Sequence, residues 1–380
     1  MIARDDFHCL IDALRTAGYR VIGPVMRDGA IVHSEPSPDD PPPIGWTDDQ
    51  QPGNYRLRQR TDGAYFGYVV GPDSWKRLLH PPTVTLWRAR RESSGFAVVD
   101  GEETPPPMAF VGVRACDLSA IAAQDQIFLQ GPYVDPIYRD RRERIFIVAV
   151  NCTQAGGTCF CASMGTGPRA TSGFDLALTE LIDADRHEFL VEVGTAQGAS
   201  IMAQVPHHPA PADRITAAAD RVAAASGQMG RSLDTRGLKE SLQRNPEHPR
   251  WDDVAVRCLT CGNCTMVCPT CFCTTMEDTT DLSGESAQRV RRWDSCFTLD
   301  FSYIHGGSIR TSPRSRYRQW MTHKLASWID QFGRSGCVGC GRCITWCPVG
   351  IDITAEAAAI RSDDSNVLSG VVKEPVHGNA

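Results

Sequence analysis

Apolar residues in the N-terminal part of the chain follow two different patterns. Over residues 6–17 they recur every three to four positions, which predicts a helix that has Phe7, Leu10 and Leu14 on one face and ends before Gly18. Residues 108–115 and 144–150 are nearly continuous apolar runs, which predict buried strands. The segment between them, residues 118–129, has helical spacing. A strand, a helix and a strand in this order predict a parallel pair joined by a right-handed crossover.

Weaker patterns at residues 174–182 and 189–193 predict two further strands. A stretch rich in proline, residues 34–44, fits neither a helix nor a strand and predicts a surface loop. Residues 1–195 are therefore expected to form an α/β domain with a parallel-strand crossover.

The remaining chain divides into three segments by composition. Residues 196–248 are rich in alanine, proline and glutamine and contain one helical pattern at 212–225, so they are expected to form a linker with helical pieces. Residues 249–356 show helical spacing over 317–332, which predicts a mostly α-helical domain. The polar residues 357–380 are expected to form a loose tail.

The composition of the chain indicates its cellular compartment and excludes some classes of partner. It has 16 cysteines in 380 residues, yet a chain of this length can bury a core without disulfides. Its first residues lack the basic and apolar stretches of a signal peptide, and its longest apolar run has six residues, Ile145–Val150. The net charge of −6 gives no reason to expect nucleic acid as a partner. A reducing, cytoplasmic location without a membrane span is therefore expected.

Two copies of one cysteine spacing lie in the C-terminal part of the chain. They are Cys258-x-x-Cys261-x-x-Cys264-x-x-x-Cys268-Pro269 and Cys337-x-x-Cys340-x-x-Cys343-x-x-x-Cys347-Pro348. In ferredoxins with this pattern the first three thiolates hold one [4Fe-4S] cluster, and the cysteine before proline ligates the other cluster. Zinc sites use tetrahedral cysteine pairs separated by a knuckle, so a three-plus-one pattern that ends in proline is a poor zinc signature. The two motifs predict two [4Fe-4S] clusters and a function in electron transfer.

The ligands can be assigned to the two clusters from the spacing. Cys258, Cys261, Cys264 and Cys347 are predicted to bind cluster 1, and Cys337, Cys340, Cys343 and Cys268 are predicted to bind cluster 2. Cys268 and Cys337 are 69 residues apart, which is more than a compact ferredoxin leaves between its motifs. The interval predicts a helical ferredoxin domain with an inserted hairpin.

Four other cysteines are candidates for a third cluster. Cys116 and Cys152 each follow a predicted parallel strand, at the edge of an α/β sheet where ligands are usually held. Cys159 and Cys161 follow in a glycine-rich loop that is able to fold over the same edge. A helix that begins just after Cys116 would favour the thiolate there. Four thiolates without a cation would repel one another, so their convergence makes sense around a metal. The alternatives are a redox-active thiol pair and inert buried thiols.

The last four cysteines outside the motifs have less definite interpretations. The sequence Thr-Cys-Phe-Cys occurs at 158–161 and again at 270–273, so Cys271 and Cys273 with Cys296 form a competing set of ligands. They could hold a site beside the ferredoxin clusters or no site. Cys9 lies within the first predicted helix and is expected to be a buried small residue.

Motifs for other cofactors are missing from the sequence. No Gly-x-Gly-x-x-Gly follows a predicted strand and no P-loop occurs, so neither flavin nor nicotinamide is expected on this chain. No cysteine pattern suits a nickel–iron site, and no pair of carboxylates is placed for acid–base chemistry. No catalytic residue is therefore predicted, and the chain is not expected to be catalytic alone.

Several segments resemble one family. They are Gly112-Val-Arg-Ala-Cys116-Asp-Leu-Ser-Ala-Ile121, Asn151-Cys-Thr-Gln-Ala-Gly-Gly-Thr-Cys-Phe-Cys161 and Gly173-Phe-Asp-Leu-Ala-Leu-Thr-Glu180. Together with the two cysteine motifs, they resemble the iron–sulfur β subunit of cytosolic sulfhydrogenases, the group 3b [NiFe]-hydrogenases. The 4Fe-4S dicluster subunit of anaerobic sulfite reductase shares much of this pattern.

The resemblance implies a role as an electron relay in a multi-subunit oxidoreductase. In that family one partner subunit holds flavin and binds NAD(P)H, a small subunit carries further iron–sulfur clusters, and a large subunit holds the nickel–iron site. Two other interpretations stay open. The chain could be the dicluster subunit of an anaerobic sulfite reductase, or an enzyme in its own right whose N-terminal domain binds a flavin or deazaflavin beside the extra cysteines.

Overall fold

The computed structural model describes residues 1–100 and 105–368. Its helices are α1 (Phe7–Thr16), α2 (Lys76–Leu79), α3 (Ala115–Phe128), α4 (Pro136–Arg142), α5 (Ala196–Met202), α6 (Ala212–Gly227), α7 (Leu238–Arg244), α8 (Arg250–Arg257), α9 (Asn263–Met266), α10 (Pro313–Thr322), α11 (Trp328–Phe332), α12 (Arg342–Thr345) and α13 (Ile353–Leu368). Its strands are β1 (Ile2–Ala3), β2 (Arg20–Arg27), β3 (Ala30–Ser34), β4 (Trp46–Gln51), β5 (Asn54–Gln59), β6 (Thr83–Glu92), β7 (Gly95–Asp100), β8 (Met108–Val113), β9 (Ile145–Val150), β10 (Leu176–Ile182), β11 (His187–Val193), β12 (Thr274–Thr280), β13 (Ser286–Trp293), β14 (Tyr303–Ile304) and β15 (Gly307–Ser308).

The central sheet has a parallel core with antiparallel edges. Its strand order is β1-β11-β10-β9-β8-β2-β3, and β2, β8, β9 and β10 pair in parallel. The predicted α/β fold and the parallel pair of β8 and β9 are confirmed. Strand β8 ends at Val113, two residues earlier than expected. The reason is that the helix α3 begins at Ala115, directly after the extended residue Arg114.

Both faces of this sheet are covered, which explains why its strands read as continuous apolar runs. Alternate residues of β9 point to opposite faces. Phe146 and Val148 pack in a core that includes Leu10 and Leu14 of α1. Ile147 and Ala149 pack in a second core on the other face.

A second sheet joins distant parts of the chain. Its order is β12-β13-β6-β7, so the hairpin of β6 and β7 pairs with the hairpin of β12 and β13. The latter hairpin lies in the insertion between the two cysteine motifs. Apart from this hairpin and the short pair β14–β15, the C-terminal region is built mainly from the helices α8 to α13. The predicted mixture of an α/β region and a mostly helical region is confirmed.

The segments predicted as linker and tail contain ordered helices. In the linker, α6 contacts β10 and β11, with Ala218 and Val222 buried. In the tail, α13 continues through Leu368, and its residues Ala357 and Ile360 are fully buried. Residues 357–368 are therefore helical rather than loose, because Ala357 and Ile360 lie on one face of the helix and pack in the core of the C-terminal region. Residues 369–380 of the predicted tail lie outside the described residues.

The described residues contain no helix with the length and apolar character that crossing a membrane requires.

Candidate metal centres

The first centre is a small cavity lined by four motif cysteines. Cys258, Cys261, Cys264 and Cys347 all border it, as does Cys343, with Phe297, Tyr317 and Trp320 as apolar neighbours. The helix α8 ends at Arg257, so Cys258 is extended, and Gly262 turns the chain into α9 with a φ of 74°. Cys261 is exposed, so this centre reaches the protein surface. The structure thus brings Cys347 from the second motif to three cysteines of the first.

The second centre lies deeper in the protein. Cys268, Cys337 and Cys340 are buried and Cys343 is half-buried. Burial raises the pKa of the Cys343 thiol well above its ordinary value, and the nearby sulfurs of Cys337, Cys340 and Cys268 raise it further. Cys268 of the first motif therefore faces the cysteines of the second motif.

The third centre lies at the carboxyl edge of the central sheet. Cys116, Cys152, Cys159 and Cys161 border one cavity there, and Cys340 of the second centre borders it as well. The four cysteines singled out in the N-terminal region are therefore brought together, next to the second centre.

A buried arginine also borders this cavity, and the sequence analysis missed it. The Arg114 Nη1 atom lies 3.8 Å from the Cys152 Sγ atom, and the Nη2 atom donates to the carbonyl oxygens of Phe66 and Tyr68 at 3.1 and 2.7 Å. Arg114 is only 4% exposed. A guanidinium cation therefore lies beside these sulfurs, in addition to any metal that they bind. The position of Arg114 directly after an apolar strand was the available signal.

The start of α3 does not favour a thiolate at Cys116 as expected. Burial raises the pKa of Cys116 well above that of an ordinary thiol, and the neighbouring Asp117 raises it further. Burial likewise raises the pKa of Cys159 to about 12. Desolvation of the charged form therefore outweighs the helix terminus. Binding a metal ion would deprotonate such thiols, since thiolate is the ligand form.

The second motif is held between the two Thr-Cys-Phe-Cys segments. On one side the Phe160 N–H donates to the carbonyl oxygen of Gly339 at 2.8 Å. On the other side the Thr270 hydroxyl donates to the carbonyl oxygen of Gly336 at 2.7 Å. Gly339 has a φ of 65°, and a Cβ atom there would lie 2.7 Å from main-chain atoms of Cys161. Glycine is required at position 339 for two reasons: its backbone is in the left-handed region, and the main chain of Cys161 leaves no room for a Cβ atom.

Three of the remaining cysteines, Cys271, Cys273 and Cys296, lie in the segment that joins the two cysteine motifs. The main-chain N–H of Asp294 donates to the carbonyl oxygen of Cys273 at 2.8 Å, at the base of the β12–β13 hairpin. Burial raises the pKa of Cys296 to about 12, and the nearby Cys273 raises it further. Cys271 forms a side-chain hydrogen bond with Cys268, which holds the pKa of Cys268 well below its ordinary range. Cys9 is half-buried and packs against the core that contains α1.

Among residues 1–100 and 105–368, no three or more histidine, cysteine or acidic side chains are grouped so that they could hold a single metal ion.

Comparisons with known proteins identify the family of the chain. Residues 257–351 match the family model described as "4Fe-4S dicluster domain". The chain is 34% identical over 286 residues to "Sulfhydrogenase 2 subunit beta" of Pyrococcus furiosus, an alignment that covers 73% of this chain and 82% of that protein. The chain belongs to the sulfhydrogenase β-subunit family. The resemblance noted in the sequence is confirmed, and this family member is an iron–sulfur protein of the electron-transfer type.

The matched domain covers only part of the cysteines. All eight motif cysteines of this sulfhydrogenase β-subunit family member fall within residues 257–351, as do Cys271, Cys273 and Cys296. A dicluster domain implies two [4Fe-4S] clusters. The cysteines of the third centre lie outside the matched residues. No solved structure matches the chain.

Proposed function

We propose that this chain is the electron-transfer subunit of a soluble, cytoplasmic [NiFe]-hydrogenase of the sulfhydrogenase type. It would relay electrons between a subunit that holds flavin and binds NAD(P)H and the catalytic subunits, namely a small subunit with iron–sulfur clusters and a large subunit with the nickel–iron site. The observation that carries the proposal is the cavity that Cys258, Cys261 and Cys264 of the first motif share with Cys343 and Cys347 of the second. The sulfurs of Cys268, Cys337 and Cys340 lie near Cys343, next to this cavity.

The donor sets fit the clusters that the family implies. In the proposed assignment Cys258, Cys261, Cys264 and Cys347 hold cluster 1, and Cys337, Cys340, Cys343 and Cys268 hold cluster 2. Each bound cluster would supply a carrier for one electron. In a cuboidal cluster each thiolate binds a different iron atom, so the sulfurs surround the core and do not meet at one point.

The third centre fits a further [4Fe-4S] cluster held by Cys116, Cys152, Cys159 and Cys161. Four thiols border one buried cavity, and Arg114 offsets the negative charge that thiolates would bring. Arg114 uses its other nitrogen to bind two main-chain oxygens, so the guanidinium is fixed beside the sulfurs.

The three centres form a continuous series through the protein. Cys340 borders the cavity of the third centre, and Cys343 borders the cavity of the first. The second centre therefore lies between the other two. The exposed Cys261 makes the first centre the one from which electrons would leave or enter at the surface.

The test is purification of the native complex, followed by identification of its subunits and metals. A nickel-containing large subunit together with a flavin subunit supports the proposal. Sirohaem in place of nickel would instead identify an anaerobic sulfite reductase, in which this chain would be the dicluster subunit.

A cleft beside the third centre gives a specific reason to test the flavin alternative. It has a volume of about 530 Å³ and is lined by α3, by the loop from Gly165 to Gly173 and by α6. A flavin or deazaflavin held there would make the chain an enzyme in its own right. The purified chain is expected to be brown without releasable flavin, and release of one flavin per chain would favour this second function.

A further inference from the structure

A buried lysine lies against the second centre. The Nζ atom of Lys324 is 3.2 Å from the Cys268 Sγ atom, 3.1 Å from the Thr270 hydroxyl oxygen and 3.1 Å from the carbonyl oxygen of Gly336. Lys324 is 5% exposed. An ammonium group has three N–H donors, and three acceptors surround this one. The contacts therefore match the charged form of the side chain.

The local backbone is unusual at this position. Between α10 and α11 the chain forms a π-helical turn, His323–Ser327, and Lys324 lies in it. Such turns inside α-helices are rare and are frequently found at functional sites. The turn buries Lys324 together with Leu325 and Ala326 and places its ammonium against the second motif.

Within the part of the chain that the structure describes, the ammonium of Lys324 contacts the Cys268 sulfur, the Thr270 hydroxyl and the Gly336 carbonyl oxygen but no carboxylate. A buried ammonium without an anionic partner is strongly unfavourable. A second buried lysine, Lys76, contacts the main-chain oxygens of Thr265, Met266 and Cys271 but no sulfur. The anion that suits Lys324 is therefore the thiolate of Cys268.

We propose that Lys324 raises the reduction potential of cluster 2 through its charged hydrogen bond to Cys268. The inference rests on the proposed function, since it requires that Cys268 be a ligand of cluster 2. Reduction adds a negative charge to a cluster, and a fixed positive charge beside a ligand sulfur stabilises the reduced form. Hydrogen bonds to the sulfurs and net charge are established determinants of cluster potential. Lys324 therefore acts on cluster 2 indirectly, through Cys268.

The test is a redox titration of the full chain followed by electron paramagnetic resonance. Lys324→Met removes both charge and donor, Lys324→Gln removes the charge but keeps a donor, and Lys324→Arg keeps both. Lys239→Met is the matched control, since Lys239 lies on the surface and pairs with Asp330. Iron is counted in every variant, and the signal of cluster 2 is identified as the one lost in Cys340→Ser.

The potential of cluster 2 is expected to fall in the Met and Gln variants, to stay near the wild-type value in the Arg variant, and to be unchanged in the Lys239 control. The potential of cluster 1 should not move. An unchanged potential in a Met or Gln variant that retains its full iron would overturn the proposal. If the Met variant loses its iron, the proposal is tested by comparing the potential of cluster 2 in the Gln variant with that in the Arg variant. Wild-type protein that binds no iron at these cysteines would instead contradict the proposed function.

Discussion

Arg342 and Asp117 form a bidentate ion pair in the interior, with Nη1–Oδ1 and Nη2–Oδ2 distances of 2.8 and 3.2 Å. The two side chains are 0% and 2% exposed. Arg342 lies between Cys340 and Cys343 in the second motif, and Asp117 directly follows Cys116 of the third centre. The pair therefore fixes the positions of two candidate centres relative to each other.

Asp117→Asn should destabilise the protein strongly. Removing one partner from a buried ion pair leaves the other charge uncompensated, which typically costs about 3–5 kcal/mol. Anaerobic denaturant titration should therefore show a lower unfolding midpoint. Asp278→Asn is the control, because the Arg289–Asp278 pair is exposed and should shift the midpoint little. Equal midpoints for the two variants would contradict this role of the pair.

The crossed ligation predicts which signal each cysteine variant loses. Cys268→Ala should damage the cluster held by Cys337, Cys340 and Cys343, and Cys347→Ala should damage the other one. Electron paramagnetic resonance of the reduced variants checks this. Damage confined to the cluster of the mutated cysteine's own motif would show that the ligands are not exchanged between motifs.

Much of this arrangement follows from sequence, and the reasons differ between regions. The β8–α3–β9 crossover was predictable because both strands are buried on two faces and read as apolar runs. The motif cysteines were predictable because their spacing is fixed by the cluster. The β6–β13 pairing was not predictable, since it joins residues about 200 positions apart through partly polar strands.

The third centre should hold about four of about twelve iron atoms per chain if each of three clusters has four. Cys152→Ala in the full chain should lower the iron content by a third and leave the signals of the first two clusters. Cys9→Ala serves as the control, because Cys9 lies within α1 and borders neither of the cysteine-lined cavities. Full iron content in the Cys152 variant would exclude Cys152 as a ligand.

Removing a ligand of the second centre should uncouple hydrogen oxidation from NAD(P)⁺ reduction while leaving each terminal site active. Cys340→Ser should abolish electron flow between hydrogen and NAD(P)⁺, because the second centre lies between the others. Hydrogen uptake with a viologen dye and NAD(P)H oxidation with an artificial acceptor should persist, since both terminal sites are intact. Loss of dye-linked hydrogen uptake in a fully assembled complex would mean that the chain does more than transfer electrons.

Two glycines allow a test of the close approach between the second and third centres. Gly339 and Gly333 have nearly equal φ values, 65° and 69°, but a Cβ atom at Gly333 would meet nothing within 4 Å. Alanine should cost about 1–2 kcal/mol at either position for its left-handed conformation. Gly339→Ala should cost more, because its Cβ would overlap the main chain at Cys161. Thermal unfolding of the two variants measures the difference, and equal melting temperatures would refute the contact.

The hydrogen bonds that hold the second motif between the two Thr-Cys-Phe-Cys segments bear on how the protein matures. The loop that carries Cys337 and Cys340 is enclosed by chain from both halves of the sequence, and both thiols are buried. We therefore expect cluster insertion to precede closure of the two halves around this loop, so that the supply of iron and sulfide becomes a step in folding.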